Sequence, residues 1–212
     1  MKKDFDLSLY LVLDPVLCRD LGMVETTRAA VAGGATIIQL RDKEASTAAM
    51  IETGRALKRI LHGTNVRLIV NDNVEAAIAI GADGLHIGQE DMKAANARRM
   101  IGPDMILGLS VETEALASAI DADIVDYAGI GPVFATPTKP DHKRPIGFDG
   151  LARIVRLCPV PSVAIGGLKA EHAASVYSAG ADGLAVVSAI CGQPDPQAAT
   201  TIIAKAIREA HL

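Results

Sequence analysis

With 212 residues, half of them hydrophobic, and a formal charge of −4, the chain can fill one sizeable core but lacks the basic excess of a nucleic-acid surface. HKR at 142–144 is too short for such a face, and no apolar stretch approaches the ~20 residues of a membrane span. Three scattered cysteines, Cys18, Cys158 and Cys191, form no Cys-x-x-Cys pair and read as buried free thiols rather than a zinc or redox site.

The chain opens MKKDFDLSLYLVLDP. Asp4 and Asp6 interrupt what would otherwise resemble a signal peptide, so LSLYLVLD (7–14) is read as a first buried strand and the protein as soluble and cytoplasmic. Further Val/Ile/Leu-rich runs follow at 36–41 (TIIQLR), 67–72 (RLIVND), 84–88 (GLHIG), 105–111 (MILGLSV), 124–131 (IVDYAGIG), 162–167 (SVAIGG) and 183–189 (GLAVVSA). Helical period fills the gaps. Met50, Gly54, Leu57 and Leu61 fall on one helical face, as do Ala199, Ile202, Ile203, Ala206 and Ala210 near the end, where Asp195-Pro196 reads as an N-cap followed by an N1 proline. No Ser/Gly-rich, Pro-rich or like-charge linker divides the chain, so residues 1–212 are expected to form one domain. Eight β/α units predict a (β/α)8 TIM barrel, with an open doubly wound sheet as the alternative.

In such a barrel the active site lies at the C-terminal strand ends. Those ends are polar here. Strand alternation places Gln39, Arg41 and Lys43 on one face and Ile38 and Leu40 on the other, so an amide and two cations face the mouth, where an anion or water must meet them. Asn71-Asp72 ends the third run and GQED (88–91) follows the fourth, so Asp72 and Asp91 stand on adjacent loops and could hold a hard cation such as Mg²⁺ together with waters and phosphate oxygens. Helix capping is the alternative role for such carboxylates. Ser110 closes the fifth run, Gly166-Gly167 the seventh, and Val187-Ser188 the eighth. Paired glycines there suit either a tight turn or a phosphate-binding backbone. His86 has the parity to point inward and reads as a hydrogen-bonded core residue, whereas His62, His142, His172 and His211 read as surface residues.

After the sixth run comes a loop of about fifteen residues, beginning GPVFATPTKPD (131–141). Long loops in compact domains are usually functional. Pro132, Pro137 and Pro140 stiffen this one, while Thr136, Thr138 and Lys139 offer hydroxyls and a cation to an anionic small molecule.

Together, QLRDK (39–43), VNDN (70–73), HIGQED (86–91), GLS (108–110), GPVFATPTK (131–139), AIGG (164–167) and VVSAI (186–190) resemble thiamine phosphate synthase, in order along essentially the whole chain. The resemblance implies a (β/α)8 enzyme that joins 4-amino-2-methyl-5-(hydroxymethyl)pyrimidine diphosphate to a thiazole phosphate, releasing pyrophosphate. It implies that Gln39, Leu40, Arg41, Asp42, Lys43 and Asn71 hold the pyrimidine diphosphate, that Asp72 and Asp91 place Mg²⁺ on it, that Ser110 touches the pyrimidine, and that Lys139 touches the diphosphate. Thr136, Pro137 and Thr138 would line the thiazole phosphate site, with Gly167, Val187 and Ser188 adding backbone contacts. Arg41, Lys43, Ser110 and Lys139 are the expected catalytic residues of a dissociative transfer. The competing readings are a thiazole tautomerase, to which a diphosphate site is foreign, a Schiff-base aldolase using Lys139, and a non-catalytic binding barrel. Lys139 lacks the apolar surroundings that would depress a lysine pKa.

Overall fold

The computed structural model describes residues 4–136 and 143–210. Eight strands, β1 (Leu9–Val12), β2 (Ile37–Leu40), β3 (Arg67–Asn71), β4 (Gly84–Ile87), β5 (Ile106–Val111), β6 (Tyr127–Ile130), β7 (Ser162–Ala164) and β8 (Gly183–Val186), pair in parallel and in sequence order, and β8 closes on β1. The helices between them are α1 (Met23–Gly33), α2 (Thr47–Leu61), α3 (Val74–Ile80), α4 (Ala94–Ile101), α5 (Glu114–Ser118), α6 (Gly147–Val155), α7 (Ala173–Ser178) and α8 (Pro196–Ala210). The closed barrel is the predicted fold. Among the described residues no helix is long and apolar enough to cross a membrane.

Two apolar clusters follow from strand alternation. Ile38, Leu40, Leu68, Val70, Leu85 and Leu107 pack outward against helix residues such as Met50, Leu57 and Leu61. Tyr10, Ile37, Ile69, Ile106, Tyr127 and Val163 form the barrel interior, with Phe5 and Leu7 packed at its lower end. On α2 the buried face is the one expected, Met50, Gly54, Leu57 and Leu61. On α8 the Asp195 carboxylate accepts from Ala198 N at 2.9 Å, the predicted cap. Its buried face is rotated from the expected one. Thr200 is buried because its hydroxyl donates to Pro196 O at 2.6 Å and its methyl abuts Gly33, where an added Cβ would meet Thr200 Cβ at 2.6 Å. Ile202 is therefore turned out, at 61% exposure.

The lower rim is stitched by a repeated device. The residue just before each even-numbered strand exchanges two hydrogen bonds with the preceding odd strand. Thr36 Oγ1 accepts from Leu9 N at 3.1 Å, Asp83 Oδ2 from Leu68 N at 2.8 Å, Asp126 Oδ2 from Leu107 N at 2.7 Å and Asp182 Oδ2 from Ser162 N at 2.7 Å. Each of these residues also donates its own backbone N–H to the carbonyl of the same partner. Asp83, Asp126 and Asp182 thus belong to the strands, satisfying amides that the tilted barrel leaves without ladder partners.

Candidate active site

The C-terminal strand ends open into one pocket. β2 points Gln39 inward, and the chain beyond the strand carries Arg41 and Lys43 to the same pocket. Leu40 and Asp42 diverge from it. Leu40 is fully buried between sheet and helices, and the Asp42 carboxylate accepts from Glu44 N and Ala45 N at 3.2 and 3.1 Å, capping its own turn. Neither side chain lines the pocket.

Asn71 ends β3, and Asp72 follows with φ 61°, the left-handed region that aspartate tolerates better than most residues. Asn73 then caps α3, accepting from Ala76 N at 2.8 Å, so the chain turns from strand to helix through three polar residues. After β4, Gly88 N donates to Asp91 Oδ2 at 2.8 Å. An added Cβ on Gly88 would meet that same oxygen at 2.8 Å, so glycine is what lets Asp91 fold back. Asp72 and Asp91 face the pocket together. Burial first, then the hydrogen bond and charge of Asp91, push the Asp72 carboxyl up to about 6, against the opposing pull of Lys43. Two hard oxygen ligands that repel one another suit a hard cation completing its shell with water or substrate oxygens. Among the described residues no cluster of three or more His, Cys, Asp or Glu could hold a metal.

The far wall comes from β5 to β8. Ser110 and Glu112 line the pocket, as do Thr136, Gly167, Val187 and Ser188. Gly166 and Gly167 both have positive φ, 93° and 67°. An added Cβ on Gly167 would meet Ala135 O and Phe134 Cβ at 2.8 Å, so the pair forms a tight turn against the loop after β6 while still bordering the pocket. That loop is tied at its feet by Val133 N to Ile165 O at 2.8 Å and Ile146 N to Pro132 O at 2.9 Å. Phe134 anchors it between Phe148, with ring centroids 5.2 Å apart, and His172, 4.9 Å away. His172 is therefore an aromatic packing partner at 20% side-chain exposure, not the surface residue expected from the sequence. Pro137, Thr138 and Lys139, named above as ligand contacts, lie outside the described residues, as do His142 and His211.

The pocket also holds residues that were not singled out as site residues by sequence. Tyr10 and Val12 border the pocket from β1, Glu112 stands beyond β5, and Lys143 reaches it from the loop after β6, with Nζ 3.2 Å from Glu90 Oε1. His86, placed inward as expected, is hydrogen-bonded through Nδ1 to Tyr127 Oη and through Nε2 to Ser110 Oγ, both at 2.9 Å.

The sequence model of the family described as "Thiamine monophosphate synthase" matches residues 9–190. Proteins named thiamine-phosphate synthase from Azorhizobium caulinodans and Xanthobacter autotrophicus are each 49% identical, over 95% of this chain and 96% of the former and over 100% of both chains for the latter. A solved thiamine phosphate pyrophosphorylase from Pyrococcus furiosus superposes with a TM-score of 0.87 at 38% identity, covering 96% of each chain. A 3-hexulose-6-phosphate synthase, at 17% identity and TM-score 0.66, shares the barrel alone. The family model spans all eight strands and the relatives match over nearly the whole chain, so this chain belongs to the thiamine monophosphate synthase family.

Proposed function

We propose that residues 1–212 act as one cytoplasmic catalytic domain that transfers the (4-amino-2-methylpyrimidin-5-yl)methyl group from its diphosphate to the nitrogen of a thiazole phosphate, giving thiamine phosphate and pyrophosphate. The observation that carries this reading is a single mouth in which Arg41 and Lys43 face the Asp72–Asp91 pair. Cations alone would suit any phosphate; the added carboxylate pair suits a diphosphate bound with a divalent metal. Asp72 and Asp91 would hold Mg²⁺, and its bound charge would offset that building on the departing pyrophosphate.

Arg41 and Lys43 bind the diphosphate oxygens and stabilise them as the CH₂–O bond breaks. Lys139 is proposed to join them, and Lys143 is a further cation at the rim. The pyrimidine-methyl cation that remains is captured by the thiazole nitrogen, forming the C–N bond. No side chain need act as nucleophile, and the rate comes from preorganised charge. Gln39, Asn71 and Ser110 orient the pyrimidine, whereas Thr136, Pro137, Thr138 and the backbone at Gly167, Val187 and Ser188 hold the thiazole phosphate.

Incubation with both substrates and Mg²⁺ is expected to yield thiamine phosphate by mass spectrometry, and chelator to abolish it. Folded protein that makes no product while still binding the thiazole phosphate would overturn the reading. A subtler expectation concerns Gly88→Ala. Its Cβ displaces the Asp91 carboxylate, so half-maximal rate should require about tenfold more Mg²⁺, with melting temperature little changed because only a flexible side-chain end must move. An unchanged metal requirement would remove Asp91 from the assignment.

A further inference from the structure

The barrel interior beneath the pocket is not wholly apolar. Gln39 Nε2 donates to Tyr10 Oη at 2.7 Å, Tyr10 Oη is 2.8 Å from Tyr127 Oη, Tyr127 Oη is 2.9 Å from His86 Nδ1, and His86 Nε2 is 2.9 Å from Ser110 Oγ. Gln39, Tyr10, Tyr127 and His86 are all buried. The chain runs from β2 through β1, β6 and β4 to β5, and so spans the barrel.

Space has been made for it. An added Cβ on Gly108 of β5 would overlap the Tyr127 ring at Cζ and Oη, and one on Gly129 of β6 would meet His86 Cε1 at 3.1 Å. Glycines that weaken two strands are kept where a phenol and an imidazole must pass. Phenylalanine in place of the tyrosines and leucine in place of the histidine would fill nearly the same volume without buried polar atoms, so this arrangement is a poor choice for packing alone.

Each hydroxyl has one proton to give, and using every one of them selects the direction. If Gln39 Nε2 donates to Tyr10, the Tyr10 hydroxyl proton is available for Tyr127 and the Tyr127 proton for His86 Nδ1. The imidazole then carries its proton on Nε2 and donates to Ser110 Oγ. Ser110 retains its hydroxyl proton to donate, and Gln39 retains its carbonyl oxygen to accept. A reversed chain would exchange both roles.

We propose that Tyr10, Tyr127 and His86 are positioning residues that act as a one-way hydrogen-bond chain, holding Ser110 as donor and Gln39 as acceptor toward an aminopyrimidine edge. That edge has the matching pattern, a ring nitrogen to accept and an exocyclic amine to donate. A 4-oxo pyrimidine reverses it and would require the whole chain to flip. This inference rests on the proposed function for the identity of the ligand, although the direction of the chain does not.

Two measurements test it. In protein with ¹⁵N-labelled histidine, the His86 ring signals, assigned by their loss in His86→Gln, should report the neutral Nε2–H tautomer at pH 7.5. A proton on Nδ1 would overturn the direction. In Tyr127→Phe, the loss of one link should lower kcat/KM for the aminopyrimidine diphosphate about 10- to 100-fold. KM for the thiazole phosphate should stay within about twofold, and discrimination against the 4-oxo diphosphate, read as its inhibition constant, should narrow by a comparable factor. Equal losses toward both substrates, or unchanged discrimination, would reduce the chain to a structural element. Should Tyr127→Phe fail to fold, Tyr10→Phe breaks the next link and is read the same way. A wild type that makes no thiamine phosphate but shows the Nε2–H tautomer would overturn the ligand and leave the direction standing.

Discussion

Replacing Asp72 by asparagine should lower turnover at least about 100-fold, the loss of one preorganised charge contact, while leaving the metal-free protein at least as heat-stable as its parent. The two effects have one cause. Asparagine accepts the left-handed backbone at φ 61° as readily as aspartate, so the turn after β3 keeps its shape. The native carboxyl is pushed up to about 6, chiefly by burial and then by Asp91. A carboxyl raised in the folded state costs stability once pH exceeds its unfolded value of about 4, because folding then disfavours the ionised form. At pH 7 the amide removes that cost, and with it half of the charge that would hold Mg²⁺. Steady-state kinetics and thermal melts, each with Mg²⁺ and with chelator, check both halves. The parent should melt higher with saturating Mg²⁺, by about 3 kcal/mol of added stability at a hundred times its dissociation constant, and Asp72→Asn should lose most of that shift. Near-normal turnover in the variant would sink the assignment of Asp72, as would a metal-induced shift of the parent's size.

The same pocket shows what a sequence can and cannot disclose. Every strand was legible, because buried parallel strands are runs rich in Val, Ile and Leu, and the inward turn of Gln39, Arg41 and Lys43 was read from alternation. The chain from Gln39 to Ser110 was not. Tyr10 sits inside LSLYLVLD and Tyr127 inside IVDYAGIG, where a tyrosine reads as one more large core residue. Nothing local reveals that their hydroxyls meet across the barrel, since residues 10 and 127 are brought together only by closure of the sheet. His86 announced its direction but not its partners. Gly108 and Gly129 carry no local mark of the Tyr127 and His86 side chains that they admit. The errors have the same origin. Ile202 and His172 were placed by local pattern, and each was overruled by a tertiary neighbour, α1 through Gly33 in one case and Phe134 with Phe148 in the other.

At the other end of the barrel, Asp126→Ala should do the reverse of Asp72→Asn: destabilise the protein by about 3 kcal/mol and leave kcat per folded molecule unchanged at 25 °C. Asp126 precedes β6, where its carboxylate accepts from Leu107 N at 2.7 Å and from Arg98 Nη2 at 2.6 Å. The Arg98 and Asp126 side chains are only 15% and 20% exposed, so solvent does little to replace what is lost. Arg98 also donates to the carbonyls of Ile124, Gly102 and Met105, which hold it in place and leave it without its anion when Asp126 goes. At about 2–4 °C per kcal/mol for a chain of this size, the melting temperature should fall roughly 6–12 °C. The Lys58–Asp83 pair beside β3 offers an internal comparison. Its lysine is more exposed, at 37%, so Asp83→Ala should cost less through the ion pair, although it too abandons a strand amide, Leu68 N. A loss below about 1 kcal/mol in Asp126→Ala would mean that water replaces the carboxylate at Leu107. A fall in kcat at full folding would mean that the lower rim couples to the mouth. The expected outcome separates the two ends: aspartates below hold strands together at no cost to chemistry, whereas Asp72 and Asp91 above are set against each other, a strain that a bound divalent cation would relieve.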